Sequence, residues 1–147
     1  MASESPKRWP RVGVGVLIVK EGKVLIGKRK GSHGAGQYAL PGGKLEWRET
    51  WADCARREVL EETAISLYDV PVTYCYTTEA VIDDDNHWIT VFAACEVADD
   101  VEVVNREPHK CEGWFFATKT EVLEREANGE ALFLPLRLLL RDDRVAW

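Results

Sequence analysis

The sequence predicts an α+β domain with helices covering both faces of a sheet. Three observations carry this reading. Runs rich in β-branched and aromatic residues recur at 12–19, 24–29, 70–82, 87–97 and 113–117, with Gly, Pro, Asn or Asp between most of them. One helical segment sits mid-chain at about 50–63 and two follow late, at 120–128 and 132–142. The 147 residues suffice for one domain with a sizeable core, and no repeat or long linker divides them.

Residues 1–10 are charged, hold two prolines and lack an apolar core. They are expected to form a flexible tail ahead of a domain spanning 11–147, and they fit neither a signal peptide nor a membrane span. Residues 12–19 read as a strand whose glycines mark a close approach to its backbone. A turn at 20–23 leads to the returning strand at 24–29. The glycine-containing stretch 32–37 is a loop, and 38–40 is extended ahead of a tight turn at Pro41-Gly42-Gly43. Thr50, with Asp53 three residues on, marks a helix start. The β-rich segments 70–82 and 87–97 are joined by an Asp-rich turn at 83–86. Gly129 closes the helix at 120–128, and Pro135 falls in the first turn of the last helix.

The net charge of −6 argues against general binding to nucleic acid or to an anionic membrane. Cys54, Cys75, Cys95 and Cys111 form no C-x-x-C pair, as expected for reduced thiols in a cytoplasmic protein. Their spacing from His33, His87 and His109 gives no zinc pattern.

The segment 43–65 carries the chemistry. Gly43 is followed by five residues and Glu49, then by seven residues and Arg57-Glu58, then by two residues and Glu61-Glu62. On a helix Glu58, Glu61 and Glu62 project from one face. Their mutual repulsion, roughly 0.2–0.5 kcal/mol per pair, calls for an opposing charge. A hard divalent cation fits, because Mg²⁺ takes carboxylate oxygens and keeps waters and substrate phosphates as its other ligands. The bland alternative is a solvated acidic helix face. Against it, Trp51, Cys54 and Ala55 continue the same face as an apolar stripe, and a bare Gly-Gly turn precedes the helix.

At these residues the chain resembles the Nudix hydrolase family. Gly43, Glu49, Arg57, Glu58, Val59, Glu61, Glu62 and Ile65 match the family box, and Ala64 stands where the family usually has Gly. A left-handed cap costs an L-residue roughly 1–2 kcal/mol, so the helix is expected to end differently here. The resemblance implies an α/β/α sandwich with a mixed β-sheet. It also implies Mg²⁺, with Mn²⁺ as an alternative, and a small nucleotide as substrate. Glu58 and Glu62 would be the main metal ligands, joined by Glu61 and the Gly42 carbonyl. Arg57 would pair with Glu49 and orient the cluster, though an ordinary surface pair would be worth only about 0–1 kcal/mol. Glu58, Glu61, Arg57 and Glu49 would make up the catalytic set.

The stretches 27–43, 107–114 and 132–137 are similar to the MutT-like branch, which hydrolyses nucleoside triphosphates, oxidised guanine nucleotides included, and so cleans the nucleotide pool. By that likeness Arg29 would contact the nucleotide. Leu40, Gly43, Thr90, Phe133, Pro135 and Leu136 would line its pocket, and Glu112 would assist a second metal. The bland alternatives are a solvated strand edge for Arg29 and plain core for Phe133 and Leu136. The competing functions are hydrolysis of another diphosphate (ADP-ribose or another ADP-sugar, NADH or a prenyl diphosphate) and nucleotide sensing without cleavage. The intact carboxylate set disfavours sensing. The acidic balance disfavours mRNA decapping, and a homodimer is compatible with the composition.

Overall fold

The computed structural model describes residues 8–31, 34–145 and 147. The elements run β1 Arg11–Lys20, β2 Lys23–Arg29, β3 Tyr38–Ala39, β4 Gly42–Lys44, α1 Trp51–Thr63, β5 Thr73–Asp83, β6 Asn86–Glu96, β7 Cys111–Ala117, α2 Lys119–Ala127 and α3 Leu134–Leu140. The strands form one mixed sheet in the order β3-β2-β1-β6-β5, with β4 added on β1 and β7 on β2. The β1–β6 pair is parallel and the other pairs are antiparallel.

Strand alternation divides the apolar residues between two layers. Val14, Val16 and Ile18 of β1 pack with Cys54, Ala55 and Val59 of α1, while Leu17 packs with α2 and α3 through Val122, Leu136 and Leu139. This is the α/β/α sandwich with a mixed sheet expected from the sequence. Of the tail expected over 1–10, residues 1–7 lie outside the described residues, as do Ser32 and His33 of the expected loop.

Three boundaries differ from expectation for identifiable reasons. Gly42–Lys44 is a strand rather than the end of a turn. The bare backbone of Gly42, where a Cβ would fall on the Val14 carbonyl oxygen, lets β4 lie against β1, in register Gly13↔Lys44 and Gly15↔Gly42, and the Val16 N–H donates to the Pro41 carbonyl at 2.9 Å. The strand expected from 70 begins at Thr73, after Pro71, which has no N–H to give a ladder. The last helix starts at Leu134 because the chain before it zips onto β3: the Phe133 N–H donates to the Tyr38 carbonyl at 2.8 Å.

Helix α1 begins as its residues dictate, the Thr50 hydroxyl accepting from the Asp53 N–H at 3.1 Å. Its end corrects an expectation. Ala64 takes the left-handed conformation itself, at φ 63° and ψ 8°, and its N–H returns to the Leu60 carbonyl at 3.1 Å. The helix therefore closes as a glycine would close it, and the alanine bears the strain. Ala64→Gly should leave turnover unchanged and raise stability by up to ~1 kcal/mol, read as the shift in urea midpoint. A loss of activity in that variant would contradict a purely structural cap.

Candidate active site

Where β1 gains β4, its pairing with β2, at Val19↔Val24 and Lys20↔Lys23, is already over. A cavity of about 780 Å³ opens there and draws residues from both faces of the sheet. This is within the usual size of a small-molecule pocket, ~300–1,000 Å³. Glu58, Glu61 and Glu62 line it together with Leu40, Phe133, Pro135 and Leu136, and Arg29, Gly42, Gly43 and Thr90 line it as well.

The Arg57 guanidinium organises the acidic part. Its Nε and Nη2 donate to the two oxygens of Glu49 at 2.7 and 3.0 Å, a bidentate pair. Nη1 donates to Glu58 Oε1 at 2.8 Å, and Nη2 also reaches the Lys44 carbonyl at 3.2 Å. One planar cation thus ties α1 to the segment entering it and aims Glu58 into the cavity. Neither Arg57 nor Glu49 lines the cavity. Hydrogen bonding to Arg57 holds the Glu49 carboxyl at about 2, against an ordinary 4.5.

That depression predicts a pH dependence. Between about 4.5 and 2 the unfolded chain binds the Glu49 proton and the native state does not, so stability falls as pH falls through this window. Glu49→Gln should melt below the parent at pH 7 in EDTA and lose less on acidification, with the two melting temperatures converging near pH 2–3. Parallel melting curves for parent and variant would reject this role.

Glu58 and Glu62 are perturbed the other way. Burial pushes Glu62 up to about 8, with Glu58 and Glu107 nearby adding to the shift and the Gly42 N–H, donating to Glu62 Oε2 at 2.9 Å, opposing it. Burial likewise raises Glu58, against the pull of Arg57. Ionised carboxylates here need a cation, and their oxygens are the donors a hard divalent ion prefers. Gly43 fits the same purpose, since a Cβ on it would run into the Glu58 carboxylate. The residues present therefore suit Mg²⁺ or Mn²⁺. Among the described residues, however, no three His, Cys, Asp or Glu side chains are gathered into a metal-binding set. Arg57 engages Glu58, and Glu61 is half-exposed with Arg57 Nη1 3.5 Å away.

Glu112 is outside the cavity lining and lies 3.7 Å from Lys28 Nζ. Glu107 lines the cavity instead, from the turn before β7, together with Glu46 ahead of α1. An irregularity in the β2–β7 pairing between Gly27 and Arg29 hides this from a simple strand count.

Apolar and aromatic residues share the rest of the wall with Lys30, Asn105, His109 and Lys110. The Arg29 guanidinium lies 4.3 Å from the Phe133 ring centroid, and burial lowers its pKa. Trp88, Phe92 and Trp114 also line the cavity, though nothing in the sequence marked them individually. The two-residue period of a strand places Trp88 and Phe92 on the face of Thr90, which is the signal that reveals them.

Comparison with known proteins agrees with this fold. An oxidized purine nucleoside triphosphate hydrolase of Danio rerio is 44% identical over 52 residues, 35% of this chain and 33% of the relative. An ADP-ribose pyrophosphatase of Methanocaldococcus jannaschii is 43% identical over 56 residues, 38% of this chain and 33% of the relative. The matches thus span about a third of the length of these curated relatives. The crystal structure of a MutT NUDIX hydrolase from Burkholderia pseudomallei superposes with a TM-score of 0.79 at 27% identity, covering 92% of this chain and 99% of that one. The model of the NUDIX domain matches residues 9–136, and the chain belongs to the NUDIX family.

Proposed function

We propose that the protein hydrolyses purine nucleoside triphosphates, modified or oxidised deoxynucleotides such as 8-oxo-dGTP among them, to the monophosphate and pyrophosphate. The observation that carries this reading is one cavity lined by both a carboxylate set and apolar, aromatic residues, with Arg29 stacked on Phe133 and within electrostatic reach of Glu62. Such a cavity suits a ligand with a charged polyphosphate at one end and a flat ring at the other. Glu58 and Glu62 would hold a divalent cation, assisted by Glu61 and the Gly42 carbonyl. Bound there, the cation would neutralise phosphate oxygens and acidify a coordinated water. Arg57 keeps Glu58 aimed at that place. Arg29 binds the anionic part of the nucleotide, and Leu40, Thr90, Phe133, Pro135 and Leu136 receive the base. Glu61, 53% exposed, is the most open carboxylate of the helix set and takes the proton of the attacking water.

The name of the Danio rerio relative supports a triphosphate substrate, and the name of the Methanocaldococcus relative supports ADP-ribose as a second reading. No described helix is long and apolar enough to cross a membrane, and the four cysteines are free thiols. The free thiols fit our placement of the protein in the cytoplasm, acting on small molecules. The apolar side chains exposed at Trp47, Tyr68 and Tyr74 leave surface for a homodimer.

Measuring kcat/KM with Mg²⁺ for dGTP, 8-oxo-dGTP, dCTP, ADP-ribose, NADH and geranyl diphosphate tests the substrate. Triphosphates should lead and release pyrophosphate, with purines within roughly ten- to a hundred-fold of one another, since a small group in an apolar pocket is worth about 1–3 kcal/mol. ADP-ribose, NADH or geranyl diphosphate ahead of every triphosphate would overturn the substrate while leaving metal-dependent hydrolysis standing. Release of orthophosphate from a triphosphate would overturn the bond assignment.

A further inference from the structure

The floor of the cavity is built from registered rows of side chains. On β6, Trp88, Thr90 and Phe92 share one face and line the cavity. Their partners on β5 are Ala80, Thr78 and Tyr76. The Tyr76 hydroxyl is committed to Asp142, to which it donates at 2.6 Å. Two hydroxyls remain side by side in an apolar floor, Thr78 at 7% and Thr90 at 8% exposure. Thr78 Oγ1 is buried and has no hydrogen-bond partner. A buried hydroxyl without a partner costs stability, and valine would fill the same space without that cost. Next to Thr90 on β1 stands Gly13. A Cβ there would lie 3.6 Å from Thr90 Oγ1 and 3.5 Å from the Trp88 ring, so the bare glycine leaves both open to the cavity.

We propose that Thr90 hydrogen-bonds the polar edge of a planar, heteroatom-bearing ring lying beside Trp88. Thr78 is the positioning residue behind it, its hydroxyl pairing with that of Thr90 when the ring is bound. The inference rests on the nucleotide reading given above and names the ring edge as the recognised feature. Directly opposed threonines on antiparallel strands are close enough to share a hydrogen bond. A hydroxyl donates and accepts, so the pair satisfies a ring carbonyl or a ring N–H. A hydrocarbon chain in the same place offers the pair no polar partner, so the outward hydrogen-bonding capacity of Thr90 goes unmet and the site discriminates against it.

The test compares Thr78→Val, Thr78→Ser and Thr90→Val with the parent by thermal melting, dGTP kinetics and inhibition by pyrophosphate. Thr78→Val should melt at or above the parent temperature while raising KM for dGTP about tenfold, with kcat and pyrophosphate inhibition unchanged. Thr78→Ser should restore KM, and Thr90→Val should raise it at least as far as Thr78→Val. A residue that only packs would not move KM, so a Thr78→Val protein with the parent KM overturns the pair while the parent still cleaves dGTP. A raised KM that serine leaves unrestored overturns it as well. A parent that neither cleaves dGTP nor is stabilised by it against heat overturns the nucleotide reading, and this inference with it.

Discussion

Glu62→Gln is expected to lower kcat by roughly two to three orders of magnitude, the usual effect of removing a group that supports charge development in a closed site. The same variant should be more stable than the parent in EDTA above pH 7. The amide oxygen of Gln can still accept from the Gly42 N–H, now 2.9 Å from Glu62 Oε2, so the local fold persists. The carboxylate it replaces is costly, because burial raises its pKa from 4.5 to about 8. Between those values the native state holds a proton that the unfolded chain has released. Parent stability in EDTA therefore falls as pH rises from about 5 to 8, and the variant lacks that slope. Saturating Mg²⁺ should reverse the order by stabilising the ionised parent, because a ligand bound only by the folded state adds to its stability. Melts at pH 5 and 8, with and without Mg²⁺, check each statement. A Glu62→Gln enzyme with the parent's turnover, or a parent in EDTA equally stable at both pH values, would sink the assignment.

The parts of the site legible from sequence are those set by local rules. Thr50 and Asp53 announce the start of α1, and the spacing of Glu58, Glu61 and Glu62 places them on one helix face in any context. Only the family box pairs Arg57 with Glu49 in the sequence, yet the bidentate geometry needs nothing beyond the two side chains and the segment between them. Illegible features depend on distant segments. Gly42 and Gly43 have no strand propensity, and their extended state comes from β1 lying alongside. Ala64 is held in a conformation its own preference opposes. Nothing in the stretch from Glu107 to Glu112 says which acid faces the cavity, because a turn and an irregular strand pairing intervene. The hydroxyl of Thr78 looks like ordinary β-propensity until its register opposite Thr90 is known.

The adjacent glycines of β4 should separate stability from chemistry. A Cβ on Gly42 would fall on the carbonyl oxygen of Val14 and crowd the Gly15 backbone. Backbone in a sheet centre cannot step aside, so Gly42→Ala must push β4 off β1. The expected cost is about 3 kcal/mol or more, with a clear fall in melting temperature and loss of the Gly42 bond to Glu62. Gly43 meets something softer. Its Cβ would run into the carboxyl group of Glu58, the far end of a side chain that can rotate away. Gly43→Ala should therefore stay folded, with a modest loss of stability. Its Glu58 would be driven out of the place where Arg57 Nη1 now holds it at 2.8 Å. A displacement of that order at a reacting centre costs roughly a hundredfold in rate. Melting temperature and kcat measured for both variants give the contrast: Gly42→Ala fails chiefly in stability, Gly43→Ala chiefly in turnover. Gly43→Ala turning over like the parent would show that Glu58 need not stand where it does. A Gly42→Ala protein melting with the parent would show that β4 is not held against β1 as tightly as its register implies.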